Sequence, residues 1–403
     1  MTGNARALAE SFDLAKLMPD FYADPYPTYR ALRENAPVKR MPNGSYFLTR
    51  YDDLVTAYKS TKAFSSDKKT EFAPKFGNSL LYEHHTTSLV FNDPPAHTRV
   101  RRLIMGALSP RAIAAMEPDL IRLVDTLLDA MAEKGKVELI EDFASAIPVE
   151  VIGNLLDVPH EERGPLRHWS LAILGALEPV ISTEAFARGN RAVEEFLAYL
   201  ETLVERRRAK PGNASQDVLT RLIQGEENGE RLSEKELLHN CIFLLNAGHE
   251  TTTNLIGNGL VALSDHPEQK QRLIAHPELI KTAIEEMLRY ESSNQLGNRM
   301  IVEQVELGGI AMRPGTLCIG AANRDPRQFP APETFDIART PNRHLAFGTG
   351  AHQCAGMALA RLEGAIAIAR FLARFPHYAR DGEPVRGGRV RFRGFLRVPC
   401  AVG

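Results

Sequence analysis

Residues 347–356 read Phe347-Gly348-Thr349-Gly350-Ala351-His352-Gln353-Cys354-Ala355-Gly356. Three glycines surround a single cysteine. A thiolate that ligates a metal needs backbone N–H groups close to its sulfur, and glycine has no Cβ to prevent that approach. The stretch therefore predicts a loop that packs backbone closely around the Cys354 sulfur.

The segment after Cys354 has the pattern of a helix. Apolar residues recur there at three- and four-residue spacing from Met357 to Phe371. Cys354 is thus expected at a helix N-terminus, where free N–H groups and the helix dipole lower the pKa of a thiol. The alternative for a short motif of this kind is an ordinary core cysteine in a tight turn.

The complete ten-residue order matches F-G-x-G-x-H-x-C-x-G, and through it the chain resembles the cytochrome P-450 haem-thiolate monooxygenases. The resemblance implies a mainly α cytochrome P-450 fold, a single triangular helical domain over residues 1–403 with a minor β region. It implies that Cys354 is the axial ligand of a noncovalent haem b, iron protoporphyrin IX. Further haem contacts are implied for Phe347, Gly348, His352 and Gly356.

Composition excludes several other classes of protein. The net charge is −1 and the pI is near 6.9, so the chain has no electrostatic footprint for nucleic acid or an anionic membrane. Met1 to Pro19 lacks the apolar core of a signal peptide, and no stretch approaches the roughly 18 apolar residues of a membrane span. We therefore expect a cytoplasmic, monomeric protein.

Two further features favour one haem domain. No Gly/Ser-rich or Pro-rich linker divides the chain, since Lys210 to Gln216 is short enough to be a loop between helices. The four cysteines form no C-x-x-C or C-x-x-C-H motif, which argues against zinc knuckles and covalently attached haem.

Short patterns along the chain predict the minor β region. Asn43-Gly44 within Pro37 to Tyr51 is a strong hairpin signal, and a short helix is expected over Asp52 to Lys59. Alternation after Ile301 predicts further hairpins. The expected β-rich regions are about 37–51, 300–320 with turns at Gly308-Gly309 and Pro314-Gly315, and 385–400 with a strand from Val390 to Val398.

Two other regions bear on the substrate pocket. Ser65 to Val90 lacks periodicity and is predicted to be a long loop, which the family places over the substrate. Ile113 to Arg208 is predicted to be helical, with breaks at Gly135, Pro148, Pro159, Gly164 and Pro179. The resemblance implies substrate contacts from some of Phe72, Phe76, Leu81, Leu89 and Val90, and from the region of Trp169, Ile173, Leu174 and Leu177.

Asp93 to Arg102 is predicted to open a helix after its two prolines. His97 and Arg101 lie four residues apart, so both point from one face and can bind two carboxylates. A basic helix turn that faces water is the alternative. The family has this pair as partners of the haem propionates, and Arg299 matches its further propionate arginine.

A long helix is expected from Ser233 to about Ser264, with Glu236 completing a capping box. Its interior contains Ala247-Gly248-His249-Glu250-Thr251, where glycine costs about 1 kcal/mol relative to alanine. In the family this turn contacts the haem through Ala247, Gly248 and Thr251, leaves room for dioxygen, and relays protons through Glu250 and Thr251. The alternative is a glycine that permits close helix packing, with Glu250 paired to a basic residue.

Glu286 and Arg289 match the family's E-x-x-R lock behind the haem. Its usual third arginine is replaced by Thr334, so the lock either lacks that arginine or uses another, such as Arg339. Ser293 and Asn294 depart from the apolar residues that are common at these positions. We expect them to present polar groups near the substrate.

The implied activity is insertion of one atom of dioxygen into a small, largely apolar organic substrate, by hydroxylation or epoxidation. No flavin or nicotinamide module follows residue 403, so a ferredoxin and an NAD(P)H-dependent ferredoxin reductase are the expected partners. Two rivals are a peroxide-using peroxygenase or isomerase of the same fold and a non-enzymatic haem sensor. The retained Glu250-Thr251 pair favours the monooxygenase.

Overall fold

A computed structural model describes residues 2–213, 217–227, 230–312 and 315–402. Two predicted features lie partly outside this range, namely the end of the Lys210 to Gln216 loop and Pro314 in the second predicted turn.

Helices account for most of the described chain. Their bounds are α1 Thr2–Ser11, α2 Pro19–Ala23, α3 Tyr26–Asn35, α4 Tyr51–Lys59, α5 Lys69–Phe76, α6 Leu80–Thr87, α7 Ala96–Ala107, α8 Pro110–Lys134, α9 Ala146–Leu155, α10 Leu166–Gly175, α11 Thr183–Ala209, α12 Val218–Gln224, α13 Glu234–Asp265, α14 Pro267–Ala275, α15 Ile280–Tyr290, α16 Ile319–Ala322 and α17 Met357–Arg374. A π-helical turn, Ile140–Ala144, precedes α9.

The strands are short. They are β1 Val38–Arg40, β2 Tyr46–Leu48, β3 Phe64–Ser65, β4 Lys136–Glu138, β5 Glu226–Glu227, β6 Glu230–Arg231, β7 Leu296–Ile301, β8 Val305–Leu307, β9 Ile310–Met312, β10 Gly315–Cys318, β11 Ala379–Arg380, β12 Val385–Arg386, β13 Phe395–Arg397 and β14 Pro399–Ala401. Over the described residues the largest sheet has the order β1-β2-β10-β7-β3, in which β2 and β10 are parallel and the other pairs antiparallel.

Helix α13 runs through the main hydrophobic core and packs on α9, α10, α11 and α17. The predicted capping box starts it: the Glu236 N–H donates to the Ser233 hydroxyl at 3.2 Å, and the Ser233 N–H donates to the Glu236 carboxylate at 2.9 Å. It ends before Pro267, because the residue preceding a proline avoids the helical conformation. A Cβ at Gly248 would collide with Ile152 of α9, so this glycine does permit close helix packing.

The prediction of a long loop over Ser65 to Val90 is wrong, because α5 and α6 lie within it. Phe72 and Phe76, one turn apart on α5, stack edge to face with ring centroids 5.2 Å apart, and both are buried. The Ser79 hydroxyl caps α6 by accepting the Tyr82 N–H. Helices of eight residues are too short to show a clear hydrophobic period in the sequence.

Other boundary predictions are partly wrong. Pro148 does not break a helix, because it lies in the first turn of α9, where its missing N–H is not needed. Val390 to Val398 contains only β13 as a strand, and β4 and helices α1 to α3 were not predicted. The first hairpin, α4 and the Gly308-Gly309 turn between β8 and β9 are confirmed.

Candidate active site

A cavity of about 360 Å³ lies between α13 and the Cys354 loop. The sequence-predicted residues on its wall are Phe72, Leu89, Val90, His97, Arg101, Ile173, Leu174, Leu177, Ala247, Gly248, Thr251, Ser293, Asn294, Arg299, Phe347, Gly348, His352, Cys354 and Gly356. Glu250, Glu286 and Arg289 lie behind this wall rather than on it, as do Phe76 and Leu81. Most of the remaining lining is apolar.

The Cys354 loop has the close backbone packing that its glycines predict. The Cys354 N–H donates to the Phe347 carbonyl at 2.9 Å. Gly350 has φ +77°, and a Cβ there would lie 2.5 Å from the carbonyl oxygen of Tyr58, so only glycine fits. A Cβ on Gly356 would meet open space, because this residue faces the cavity.

Cys354 is enclosed by protein, yet it keeps accessible surface because it faces the cavity. Burial raises the pKa of its thiol, and this effect exceeds the opposing influence of the Gly356 N–H, Arg101 and Arg361. The Gly356 N–H at the start of α17 thus lowers this pKa as expected, but burial outweighs it in the protein without a bound metal. A cation at the sulfur would reverse the balance, since metal coordination deprotonates a thiol.

Four basic side chains converge beside this loop. The His97 and His352 rings lie 3.9 Å apart between centroids, and both nitrogens of His97 and Nε2 of His352 lack partners among the described residues. Burial, reinforced by nearby arginines, lowers the pKa of His97 to about 4 and of His352 to about 3. Arg101 donates to the Gln353 carbonyl at 2.7 Å and Arg299 to the Asn298 carbonyl at 2.8 Å. This excess of buried donors calls for anions, and it fits the two propionates of a haem.

On the opposite wall, α13 presents its unusual turn. The Thr251 hydroxyl donates to the Ala247 carbonyl at 2.7 Å, and the Thr253 hydroxyl donates to the His249 carbonyl at 3.0 Å. Such bonds to the preceding turn bend helices. The Ser293 hydroxyl donates to the Thr251 carbonyl at 2.8 Å, so it is occupied by α13 and does not present a free group to a substrate. Asn294 does present a free polar group to the cavity, because it lies on the wall and its buried Oδ1 has no partner in the described chain.

Glu250 forms an ion pair with Arg389, with an O–N distance of 2.5 Å. Burial raises the pKa of this carboxyl to about 7, while Arg389 opposes the increase. The Glu250 side chain is 3% exposed and that of Arg389 is 16% exposed, so the pair leads from the interior towards the surface. No spacing in the sequence identifies Arg389 as the partner.

The E-x-x-R lock is complete because Arg339 replaces the missing arginine. Arg289 donates to both carboxylate oxygens of Glu286, at 2.7 and 2.8 Å. The Nε of Arg339 donates to the same two oxygens at 3.1 and 3.2 Å, and Asn342 adds a further donor at 3.1 Å. The second of the two alternatives drawn from the sequence is therefore present.

Sequence reasoning missed several polar residues on the cavity wall, among them Lys68, Thr252, Asn298, Glu363 and Arg391. None belongs to a recognised motif. Thr252 lines the cavity beside Thr251. Trp169 is not on the wall; it stacks on Phe196 and donates to Glu195 at 2.8 Å.

A cavity that places one cysteine sulfur opposite a hydroxyl-bearing helix turn, with arginines at its side that pair with no carboxylate of the described residues, defines a haem-thiolate protein. The family model "Cytochrome P450" matches residues 168–387. The chain is 39% identical to the biotin biosynthesis cytochrome P450 of Bacillus subtilis, over 89% of this chain and 90% of that one. It is 36% identical to 6-deoxyerythronolide B hydroxylase of Saccharopolyspora erythraea, over 88% and 90%.

Solved structures of cytochrome P450 proteins have the same fold as this chain. P450BioI in complex with an acyl carrier protein ligated to hexadec-9Z-enoic acid superposes with a TM-score of 0.90 at 35% identity, covering 95% of this chain and all of that one. A myxobacterial cytochrome P450 in complex with myristic acid gives a TM-score of 0.87 at 34% identity, over 96% and 98%. The chain belongs to the cytochrome P450 family. It is a monooxygenase with a haem-thiolate iron cofactor that acts on a small organic molecule and dioxygen. No helix of the described residues is long and apolar enough to cross a membrane.

Proposed function

We propose that residues 1–403 form one haem domain in which the Cys354 thiolate is the axial ligand of haem b. His97, Arg101, Arg299 and His352 would hold the propionates, and Phe347, Gly348 and Gly356 would line the cysteine side of the ring. Ala247, Gly248 and Thr251 would line the other side. The observation that carries this proposal is the cavity wall that joins an accessible Cys354 to unpaired buried donors.

The bound haem would activate dioxygen and transfer one oxygen atom to the substrate. The role of Glu250 and Thr251 would be to supply protons. A carboxyl with a pKa near 7 can take up and release a proton at physiological pH, and Glu250 has this property because it is buried. The Thr251 hydroxyl lies on the cavity wall and can pass a proton into it without placing a charge there. Arg389 would connect Glu250 towards solvent.

The substrate would be a largely apolar molecule that is hydroxylated or epoxidised. Phe72, Leu89, Val90 and Leu174 provide the apolar wall, and Asn294 provides a polar group. The solved relatives in complex with myristic acid and with hexadec-9Z-enoic acid on its carrier protein support a substrate of this kind.

Electrons would come from a ferredoxin and an NAD(P)H-dependent ferredoxin reductase. The rivals, a peroxide-using enzyme and a haem sensor, need no such relay of protons, and the buried Glu250 favours the reductive enzyme. Consumption of NADPH that requires ferredoxin, dioxygen and substrate together would support the proposal. Equal product from peroxide alone would favour the peroxygenase.

The test of ligation is the spectrum of the reduced carbon monoxide complex. Wild-type protein should absorb near the wavelength that gives the family its name, and Cys354→Ser should lose that band. Cys400→Ser is the matched control, because Cys400 is buried in β14 away from the cavity. A band that survives in Cys354→Ser would show that another residue ligates the iron.

A further inference from the structure

The cavity wall is unevenly charged. Its described cations are Lys68, Arg101, Arg299 and Arg391, whereas Glu363 is the single carboxylate among the described lining residues. The proposed haem propionates would account for two positive charges, those of Arg101 and Arg299. Lys68 and Arg391 then remain. Lys68 pairs with Glu71, whereas the Arg391 side chain pairs with no carboxylate on the described cavity wall, and burying a charge without a partner is costly.

Arg391 is deeply buried, yet its side chain keeps accessible surface because it lines the cavity. Its Nε donates to the Leu177 carbonyl at 3.2 Å and its Nη1 to the Leu296 carbonyl at 3.0 Å. Both acceptors are neutral. Its Nη2 has no acceptor within the described residues, so part of the guanidinium is free to bind a ligand.

The carboxylates near Arg391 are occupied by other donors. Glu178 accepts the backbone N–H groups of Val390 and Arg391 at 2.8 and 3.1 Å. Glu71 accepts Lys68 at 2.9 Å and the Asn298 amide at 2.9 Å. Neither carboxylate lies on the cavity wall.

Counting the charges shows an excess of one. Lys68, Lys75 and Arg391 interact electrostatically with Glu71 and Glu178, which gives three positive charges against two negative ones. The excess of positive charge affects the titration of nearby groups. Burial and the neighbouring cations lower the pKa of both lysines to about 8. The same two causes lower the pKa of His85, on the adjoining wall, to about 3.

We propose that Arg391, assisted by Lys68, binds the carboxylate of the substrate, so that this P450 acts on monocarboxylic acids with an otherwise apolar body. A carboxylate bound between Arg391 and Lys68 would accept hydrogen bonds from Nη2 of Arg391 and from the third N–H of Lys68. It would also neutralise the excess positive charge. The apolar body would extend along Phe72 and Leu174. This inference rests on the proposed function, because it assumes that Arg101 and Arg299 are engaged by the haem.

The experiment is calorimetric titration of the holoenzyme with matched pairs of probes at pH 7.5, where the acids are ionised. The pairs are dodecanoic acid with methyl dodecanoate and a bicyclic terpenoid acid with its methyl ester. We expect at least one acid to bind about tenfold or more tightly than its ester, the range of a charge-assisted hydrogen bond. Acids that bind no better than their esters would overturn the proposal.

The variants locate the effect. Arg391→Met should weaken binding of the acid about tenfold and leave the ester within about twofold, while Arg391→Lys should retain part of the preference. Lys68→Met should have a smaller effect because Glu71 already pairs with Lys68. Arg397→Met and Lys69→Met are the controls. Both residues are exposed cations that lie close in sequence to Arg391 and Lys68, and neither is on the cavity wall, so neither change should alter binding.

Two outcomes would contradict the assignment to Arg391. Equal weakening of acid and ester would indicate a packing role, and loss of haem from Arg391→Met would make it a propionate partner. The reduced carbon monoxide spectrum separates this proposal from the proposed function. If the wild-type protein lacks the thiolate band, the proposed function is wrong. If the band is normal but acids bind no better than esters, only the proposed carboxylate site is wrong.

Discussion

Two buried arginines, Arg289 and Arg391, differ in how many of their N–H groups have an acceptor. Arg289, behind the Cys354 loop, uses all of its N–H groups: two donate to Glu286 and three to the carbonyls of Asn323, Pro332 and Thr334. Arg391, which lines the cavity, donates to two carbonyls, and its Nη2 has no acceptor among the described residues.

This difference separates a structural charge from a charge available to a ligand. A buried ion network whose donors are all used can fix the backbone around it, and here it holds the segment 323–342 that leads to the Cys354 loop. A buried cation with a free donor carries an unmet electrostatic cost until a ligand arrives. Two other buried carboxylates extend the comparison. Glu250 has one charged partner, Arg389, and the Oε2 of Glu363 has no partner among the described residues.

The largest effect is expected from breaking the saturated network. Arg289→Met leaves Glu286 buried with one arginine fewer, so the free energy of unfolding should fall by about 3 to 5 kcal/mol. Denaturant unfolding of the holoprotein measures the loss. Arg374→Met is the control, because its pair with Asp129 is exposed and should contribute nothing measurable. A stable Arg289→Met protein with a normal haem spectrum would contradict the structural role.

The Arg289 network and the adjoining Cys354 loop are more predictable from sequence than the surroundings of Arg391. Glu286 and Arg289 are one helical turn apart, and the Cys354 loop is a continuous motif, so both could be recognised from local spacing. Arg339 could be named only as an alternative, because Thr334 occupies the usual position and nothing local shows which arginine replaces it.

The placement of both Lys68 and Arg391 on the cavity wall could not be predicted from the sequence. Lys68 and Arg391 come from distant parts of the chain, and their proximity depends on tertiary packing. The alternation that predicts a strand from Val390 is misleading, because Glu178 rather than a neighbouring strand accepts the N–H groups of Val390 and Arg391. Helices α5 and α6 were missed for a related reason, since segments this short lack a measurable period.

An intermediate effect is expected where a buried carboxylate has one charged partner. Removal of Arg389 takes away the main influence that lowers the pKa of Glu250, so in Arg389→Met this pKa should rise above about 7. If protonated Glu250 supplies the proton, the wild-type rate should fall as pH rises through about 7. The falling limb should move to higher pH in Arg389→Met, and the ratio of rates at pH 8 and pH 6 should increase several-fold.

The measurement is product formation against pH, with the compound that gives the largest Soret shift in a substrate screen. Arg389→Lys should keep the wild-type limb, because it retains the positive charge. A limb that stays in place in Arg389→Met would mean that another group sets the pH dependence.

The smallest effect is expected at Glu363 on α17, whose buried Oε2 has no partner within the described residues. Burial raises the pKa of this carboxyl to about 8 in the folded protein, whereas the unfolded chain releases the proton near 4.5. Between these values the folded state binds more protons, so wild-type stability falls as pH rises and the loss is complete above about pH 8. Glu363→Gln removes this loss.

The variant should therefore match the wild type at pH 4.5 and exceed it at pH 8.5. Because Glu363 lines the cavity rather than the packed core, we expect a gain of only about 1 kcal/mol, less than the shift in pKa alone would give. Thermal unfolding of both holoproteins at the two pH values measures it, with the exposed Glu383→Gln as the control for the chemical change. A gain that is equal at both pH values would mean that the carboxyl does not titrate on folding, and that Glu363 has a partner such as the bound cofactor.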